Sequence, residues 1–227
     1  MKASTSLATM PTHRTIKTAV IVGGHGFDVI GFHNMFRELP GVAPYIQNLE
    51  EFAADARNWP NYDVLAFYNM HRAVPSADGS RIDQRARAAL EHLGETGQGI
   101  LVLHHAILAY PDWGHWSDIV GMQERSFGYY HGRNLHVEIA DSDHPITRAL
   151  SPWNMVDETY TMNDVQKSEG NHPLLSVDHP ESMKTIAWTR TFKASRVLCF
   201  QSGHDNETFV NPGFRSFLAR GIAWLSG

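Results

Sequence analysis

The sequence predicts an α/β fold: a doubly wound, mostly parallel sheet flanked by helices, with an antiparallel extension in the second half. Two observations predict it. Short apolar runs alternate with helical patterns through the first half of the chain, giving the βαβαβαβ order of parallel sheets. After Tyr110 the pattern shifts to two-residue alternation, which reads as antiparallel strands.

Each element has its own signal. The first strand is expected over Lys17–Val22, and glycines 23, 24 and 26 then allow a tight turn into a helix over Asp28–Glu38. On that helix Ile30, Met35 and Phe36 are candidate inward residues. A strand over Ala43–Gln47 precedes a helix over Leu49–Arg57, and a third strand is expected over Asp63–Tyr68. Ser80 reads as an N-cap for a helix with Ile82, Ala86, Ala89, Leu90 and Leu93 at helical spacing. Gly94 and Gly97 stop it before a fourth strand, Gly99–Leu103. A short helix over Trp116–Val120 follows an aromatic loop. Leu135–Ile139 and Met155–Met162 alternate as antiparallel strands. Thr185–Trp188 and Arg196–Phe200 read as a hairpin turning at Lys193-Ala194-Ser195. Pro212 suits the first turn of a last helix with Phe214, Phe217, Leu218, Ile222 and Leu225 on one face. Residues 1–15 are polar and read as a frayed tail, leaving residues 16–227 as a single domain.

Four of the apolar runs end on histidine. Ala19–Val22 leads to His25, Val64–Tyr68 to His71, Ile100–Leu103 to His104-His105, and Arg196–Phe200 to His204-Asp205. In open α/β sheets the ligand crevice lies outside the carboxyl ends of the strands. Distant parts of the chain are therefore expected to meet there. Imidazole is both the commonest transition-metal ligand and the usual acid/base near neutral pH. Adjacent His104 and His105 would point to opposite faces while extended, so at most one reaches the site unless the turn re-aims the other. Glu158 and Tyr160 share one face of an alternating strand and bring a carboxylate within range.

Composition narrows the function. The net charge is -5, which argues against nucleic-acid or anionic-membrane partners. No apolar stretch approaches the roughly 18 residues of a membrane span, and the N-terminal segment lacks a secretory pattern. A single cysteine excludes an intrachain disulfide framework and fits a reducing, cytoplasmic setting. Cys199 lies inside a strand pattern and reads as core. Gly24-His25-Gly26 begins like a dinucleotide fingerprint but lacks its last glycine, and no phosphate loop is present, so no nucleotide cofactor is expected. Neither a Gly-x-Ser-x-Gly elbow nor a His-Glu-x-x-His helix occurs.

Taken in order, these segments resemble the trehalose-utilisation (ThuA-like) family. The matching stretches are Gly23-Gly24-His25-Gly26-Phe27, Tyr62-Asp63-Val64-Leu65, Leu103-His104-His105-Ala106 and His144-Pro145-Ile146-Thr147. Asp157-Glu158-x-Tyr160, Ala187-Trp188-Thr189-Arg190 and Gly203-His204-Asp205 complete the set. The resemblance implies a flavodoxin-like sheet of the class I glutamine amidotransferase type. True amidotransferases carry a cysteine nucleophile in the turn after the fourth strand. This chain has His104-His105 there, so glutamine hydrolysis by a thiolate is expected to be lost. The family is linked to catabolism of trehalose, sucrose and related glycosides, often beside dehydrogenases that make 3-keto sugars. The chain departs from it at Met122 and at Lys193-Ala194-Ser195, where glycines are usual.

The expectation is a carbohydrate-catabolic enzyme acting on a sugar or 3-keto glycoside by elimination, hydrolysis or isomerisation. The catalytic candidates are His104, His105, His204, Asp205 and Glu158. Substrate-binding candidates are His71, His131, Tyr160, Trp113 and Arg190. His25, His105 and His204 are the candidate ligands of a divalent metal: zinc, manganese, nickel or iron. The rival expectation is a non-catalytic sugar-binding or regulatory module on the same scaffold. The expected partner is a small sugar, and open sheets of this kind often form homodimers.

Overall fold

A computed structural model describes residues 15–227, so the tail expected over residues 1–15 lies outside the described residues except for Thr15. The first half builds β1 (Ile16–Gly23), α1 (Val29–Arg37), β2 (Val42–Asn48), α2 (Leu49–Ala53), β3 (Val64–Asn69), α3 (Arg81–Glu91) and β4 (Gly99–Leu103). The second half adds α4 (Gly114–Val120), β5 (Gly128–Ile139), β6 (Trp153–Thr161), β7 (His172–Ser176), β8 (Thr185–Phe192), β9 (Ser195–Phe200), α5 (Asn206–Phe209) and α6 (Pro212–Leu225).

Local chemistry sets the helix starts. Asp28 caps α1 by accepting the N–H groups of Ile30 and Gly31. Ser80 and Asp83 form a reciprocal capping box on α3. Asn211 caps α6, with Pro212 in its first turn where no N–H partner is needed. The buried stripe of α1 is Phe32, Met35 and Phe36. Ile30 instead stays 74% exposed, because two residues from Phe32 is about 200° around a helix. Ile82 is likewise exposed in the first turn of α3, while Ala86, Ala89 and Leu90 are buried. The helix expected over Leu49–Arg57 breaks after Ala53, and a 3₁₀ turn containing Pro60 follows.

The nine strands of the described residues lie in the order β2-β1-β3-β4-β9-β8-β7-β5-β6. The pairings from β2 through β9 are parallel, and those from β9 through β6 are antiparallel. The sheet is therefore evenly mixed rather than mostly parallel. The expected antiparallel extension is as wide as the parallel half. β7 has no counterpart among the expected strands: it is short, and its register shifts beside Pro173, which cannot donate to a ladder. The β8–β9 hairpin turns on Lys193 at φ 50°, a conformation that costs a residue with a Cβ more than glycine. Ala194 N–H bonds the Gly94 carbonyl and Lys193 pairs with Glu95, which holds that turn.

Every residue of β3 and β4 is buried, as befits strands covered on both faces. One core layer packs α2, α3 and α4 around Phe67, Trp116 and Trp188. The other packs α1 and α6 around Phe36, Phe200 and Phe217. Cys199 is fully buried, and burial pushes its thiol pKa up. None of the described helices is long and apolar enough to cross a membrane.

Candidate metal centre

The parallel strands β1, β3, β4 and β9 end at a common edge, and their loops place His25, His71, His104, His105 and His204 there. Gly24 makes the β1 turn fit: at φ 73°, a Cβ on it would sit 2.7 Å from the His71 backbone nitrogen. His104 takes φ 53° immediately after β4, an uncommon value for a residue with a Cβ and a form of strain found at functional sites. That kink re-aims the chain, so both neighbouring histidines join the cluster. The His104 and His105 rings lie 5.0 Å apart, His104 and His204 5.2 Å, and His25 and His105 4.6 Å.

β6 brings Glu158 and Tyr160, and a bulge in β5 between Tyr130 and Arg133 swings in His131. His131 Nδ1 lies 2.7 Å from Glu158 Oε2. The Tyr160 hydroxyl lies 3.0 Å from His104 Nε2.

Hydrogen bonding fixes one tautomer. His104 Nδ1 is 2.7 Å from the Gln201 carbonyl, which can only accept, so Nδ1 carries the proton. The Nε2 lone pair then faces His204 Nδ1 at 3.2 Å and Glu158 Oε1 at 3.5 Å. His204 Nδ1 is 3.6 Å from Glu158 Oε2. Ligand atoms of His104, Glu158 and His204 all lie within 4.8 Å of one another. A tetrahedral site with bonds of about 2.0–2.1 Å has edges of about 3.3 Å. The two nitrogens already sit at such an edge, and a backbone carbonyl orients one imidazole as metal sites require. The donor set therefore fits a divalent cation. This cluster shares His204 with the expected ligand set and brings His104 and Glu158 beside it, because the kink at His104 turns that ring towards β6, while His25 and His105 lie next to it.

Burial sets the charge states. It holds the His104 pKa well below the usual histidine range, with His105 adding to the effect. Burial, then His25 and His204, push His105 down to about 3, against a small opposing effect from the Asn69 backbone. Burial also lowers His204, although Glu158 opposes it. The His104 and His204 imidazoles that converge with Glu158 are thus favoured in the neutral form, which is the ligating one, with neutral His105 beside them. Burial and the nearby carboxylates raise the Tyr160 and Tyr68 hydroxyls, which stay protonated.

Asp157, quoted above only within the Asp157-Glu158-x-Tyr160 motif, and Tyr68 are not among the expected site residues, yet both support the cluster. Asp157 is 1% exposed and accepts the backbone N–H groups of Glu158, Gly203 and His204 at 2.8, 2.8 and 3.0 Å. Burial raises its pKa to about 6. Tyr68 donates to the Gly203 carbonyl at 2.8 Å, and its ring packs 4.3 Å from that of His105. Together they clamp the turn that carries His204. The adjacency of Asp157 to Glu158 was the available signal, but alternation alone assigns it to the other face.

Other expected residues lie apart from the ligand set. Asp205 is exposed and caps α5 by accepting the Glu207 N–H. Half-buried His71 accepts from the Asn69 amide and stacks on Tyr110, at the margin of the cluster. Trp113 packs on Tyr110 and His115 and beside Arg87, outside the His104–His204–Glu158 cluster. Arg190 also lies apart from the histidine cluster. It sits opposite Val197, in the amino-terminal half of β9, whereas His204 follows the carboxyl end, and it bonds Asn171 at 3.0 Å to brace the Gly121 turn. The strand register thus keeps it away from the carboxyl end of β9, where His204 follows.

Solved structures share this fold. A ThuA-like protein of Bacteroides uniformis matches with TM-score 0.73 and 17% identity, over 97% of this chain and 95% of that one. Another, of Parabacteroides merdae, matches with TM-score 0.70 and 19% identity, over 93% and 90%. A glutamine amidotransferase of Thermotoga maritima matches with TM-score 0.55 and 8% identity, over 94% and 99%. At such identities the likeness shows the fold alone. No curated protein matches the chain in sequence. The family profile ThuA, described as trehalose utilisation, matches residues 29–225, and the chain belongs to that family.

Proposed function

We propose that this chain is a carbohydrate-catabolic enzyme whose His104, His204 and Glu158 hold a divalent metal beside a sugar or 3-keto glycoside. The observation that carries the reading is the convergence of two neutral imidazoles and a carboxylate on one point. Two histidines and one carboxylate leave coordination positions open, as a catalytic rather than a structural site requires. Zinc, manganese, nickel and iron(II) all suit such a set. A bound cation would polarise the carbonyl of a keto sugar.

The remaining residues supply the proton chemistry. His131 can donate Nδ1–H to Glu158 Oε2 at 2.7 Å, which leaves the Nε2 lone pair facing outward. A carboxylate-oriented imidazole is a suitable general base for the acidic C–H beside a sugar carbonyl. The C–H electron pair moves onto the carbonyl oxygen of the sugar and the proton onto His131. Return of that pair either expels the glycosidic oxygen or reprotonates carbon, giving elimination or isomerisation. His25, exposed beside His105, is placed to return a proton. His131 thus moves from substrate binder to base.

The test is turnover of 3-keto glycosides by the metal-loaded protein and by His131→Ala. The proposal expects product from the wild type and a loss of kcat of roughly 10²–10⁴-fold in the variant, with its metal content unchanged. Saturable sugar binding without product would leave the non-catalytic module as the better reading.

A further inference from the structure

We infer that a second pocket, beside the histidine cluster, is the subsite for the distal ring of a disaccharide substrate. This rests on the sugar reading above. The pocket has a volume of about 500 Å³, within the range of small-molecule sites. Its lining comes from the loop after β3 (Arg72), the loop before α4 (Asp112) and the segment before β5 (Glu124, Arg125, Ser126 and Phe127).

Three features point to a neutral polyol. Arg72 and Asp112 are exposed and, among the described residues, neither side chain makes a hydrogen bond or ion pair, although both line the same pocket. Opposite charges held apart are suited to vicinal hydroxyls, which can accept from a guanidinium and donate to a carboxylate at once. The floor is Arg125, 5% exposed, whose guanidinium bonds only neutral acceptors: the carbonyls of Ile107, Ala109, Tyr110 and Pro111 and the Ser117 hydroxyl. Its Nε has no partner. The two cations and two carboxylates lining the pocket balance, which disfavours an ionic ligand.

An aromatic wall joins this pocket to the proposed reaction centre. Phe127 lines the pocket and packs edge-on against Tyr160, 5.5 Å between centroids, and Tyr160 reaches His104. Tyr129, 58% exposed, continues the wall from Phe127 to His131 at 5.3 Å. An exposed aromatic face beside a pocket lined by charged and polar side chains suits a pyranose ring, apolar on its faces and polar at its edge. One ring would meet the histidines and the next would enter the pocket.

The experiment is calorimetric titration of trehalose and of methyl α-glucoside into the wild type, Arg72→Ala and Asp112→Asn. Both substitutions are at exposed side chains, and melting temperatures verify folding. The expected result is binding of both ligands by the wild type and at least a tenfold weakening for trehalose alone in each variant. Equal weakening for the two ligands, or no change, would overturn the subsite while leaving the sugar reading intact. Absence of any sugar binding by the wild type would overturn both.

Discussion

Asp157→Ala is the sharpest perturbation of the site that removes none of the proposed ligand side chains. The wild-type carboxylate accepts three backbone N–H groups in a buried setting. Alanine leaves all three without partners. Each buried donor left unsatisfied costs about 1–3 kcal/mol. Half-buried His204 lets water relieve part of that, so the low end applies, a total loss of about 3 kcal/mol. For a chain of this size that is a fall in melting temperature of about 6–12 °C. Asp157→Asn keeps an oxygen for Glu158 and His204 but turns an amide towards the Gly203 N–H, so it falls between wild type and alanine. Urea unfolding with matched thermal scans measures both. Because the clamp positions the His204 turn, metal affinity should also fall, by about 10–100-fold, as for other groups that orient ligands. An alanine variant within about 0.5 kcal/mol of wild type, the scatter of ordinary surface changes, would refute the reasoning.

Gly203→Ala forces a side chain into φ 121° and brings a Cβ to 3.3 Å from the Phe214 ring; it should cost about 1–3 kcal/mol, and an unchanged urea midpoint would contradict that. His105 is neutral in the fold at pH values where an unfolded histidine is protonated. The unfolded chain then binds more protons, so this residue costs stability as pH falls from about 6.5 towards 3. The slope is at most about 1.4 kcal/mol per pH unit for one proton, and His105→Gln should flatten the acid limb of a stability–pH curve. An identical slope in the variant would show that the buried imidazole is not the group responsible.

The chain's strands were legible because β3 and β4 are buried on both faces and so have no polar break, and because each ends at a glycine or histidine turn. The width of the antiparallel half was not, since β7 is five residues long, holds a proline and pairs irregularly. Convergence of the histidines followed from strand-end position alone. Which of them share a point did not, because that depends on the left-handed backbone at His104 and on the bulge that swings in His131. The position of Arg190 is hidden for a related reason: its neighbours match the family pattern, but only the register against Val197 shows how far along the strand it lies from the histidines. Asp157 acts through backbone N–H groups of a distant turn, a contact that no local spacing records.

The central claim is that His104, His204 and Glu158 form a metal site. It is tested most directly by elemental analysis of the untagged protein after reconstitution, with His204→Ala and Glu158→Gln in parallel. The account predicts close to one divalent ion per wild-type chain and loss of most of it in both variants. A wild type that binds no metal, or variants that retain it fully, would contradict the account.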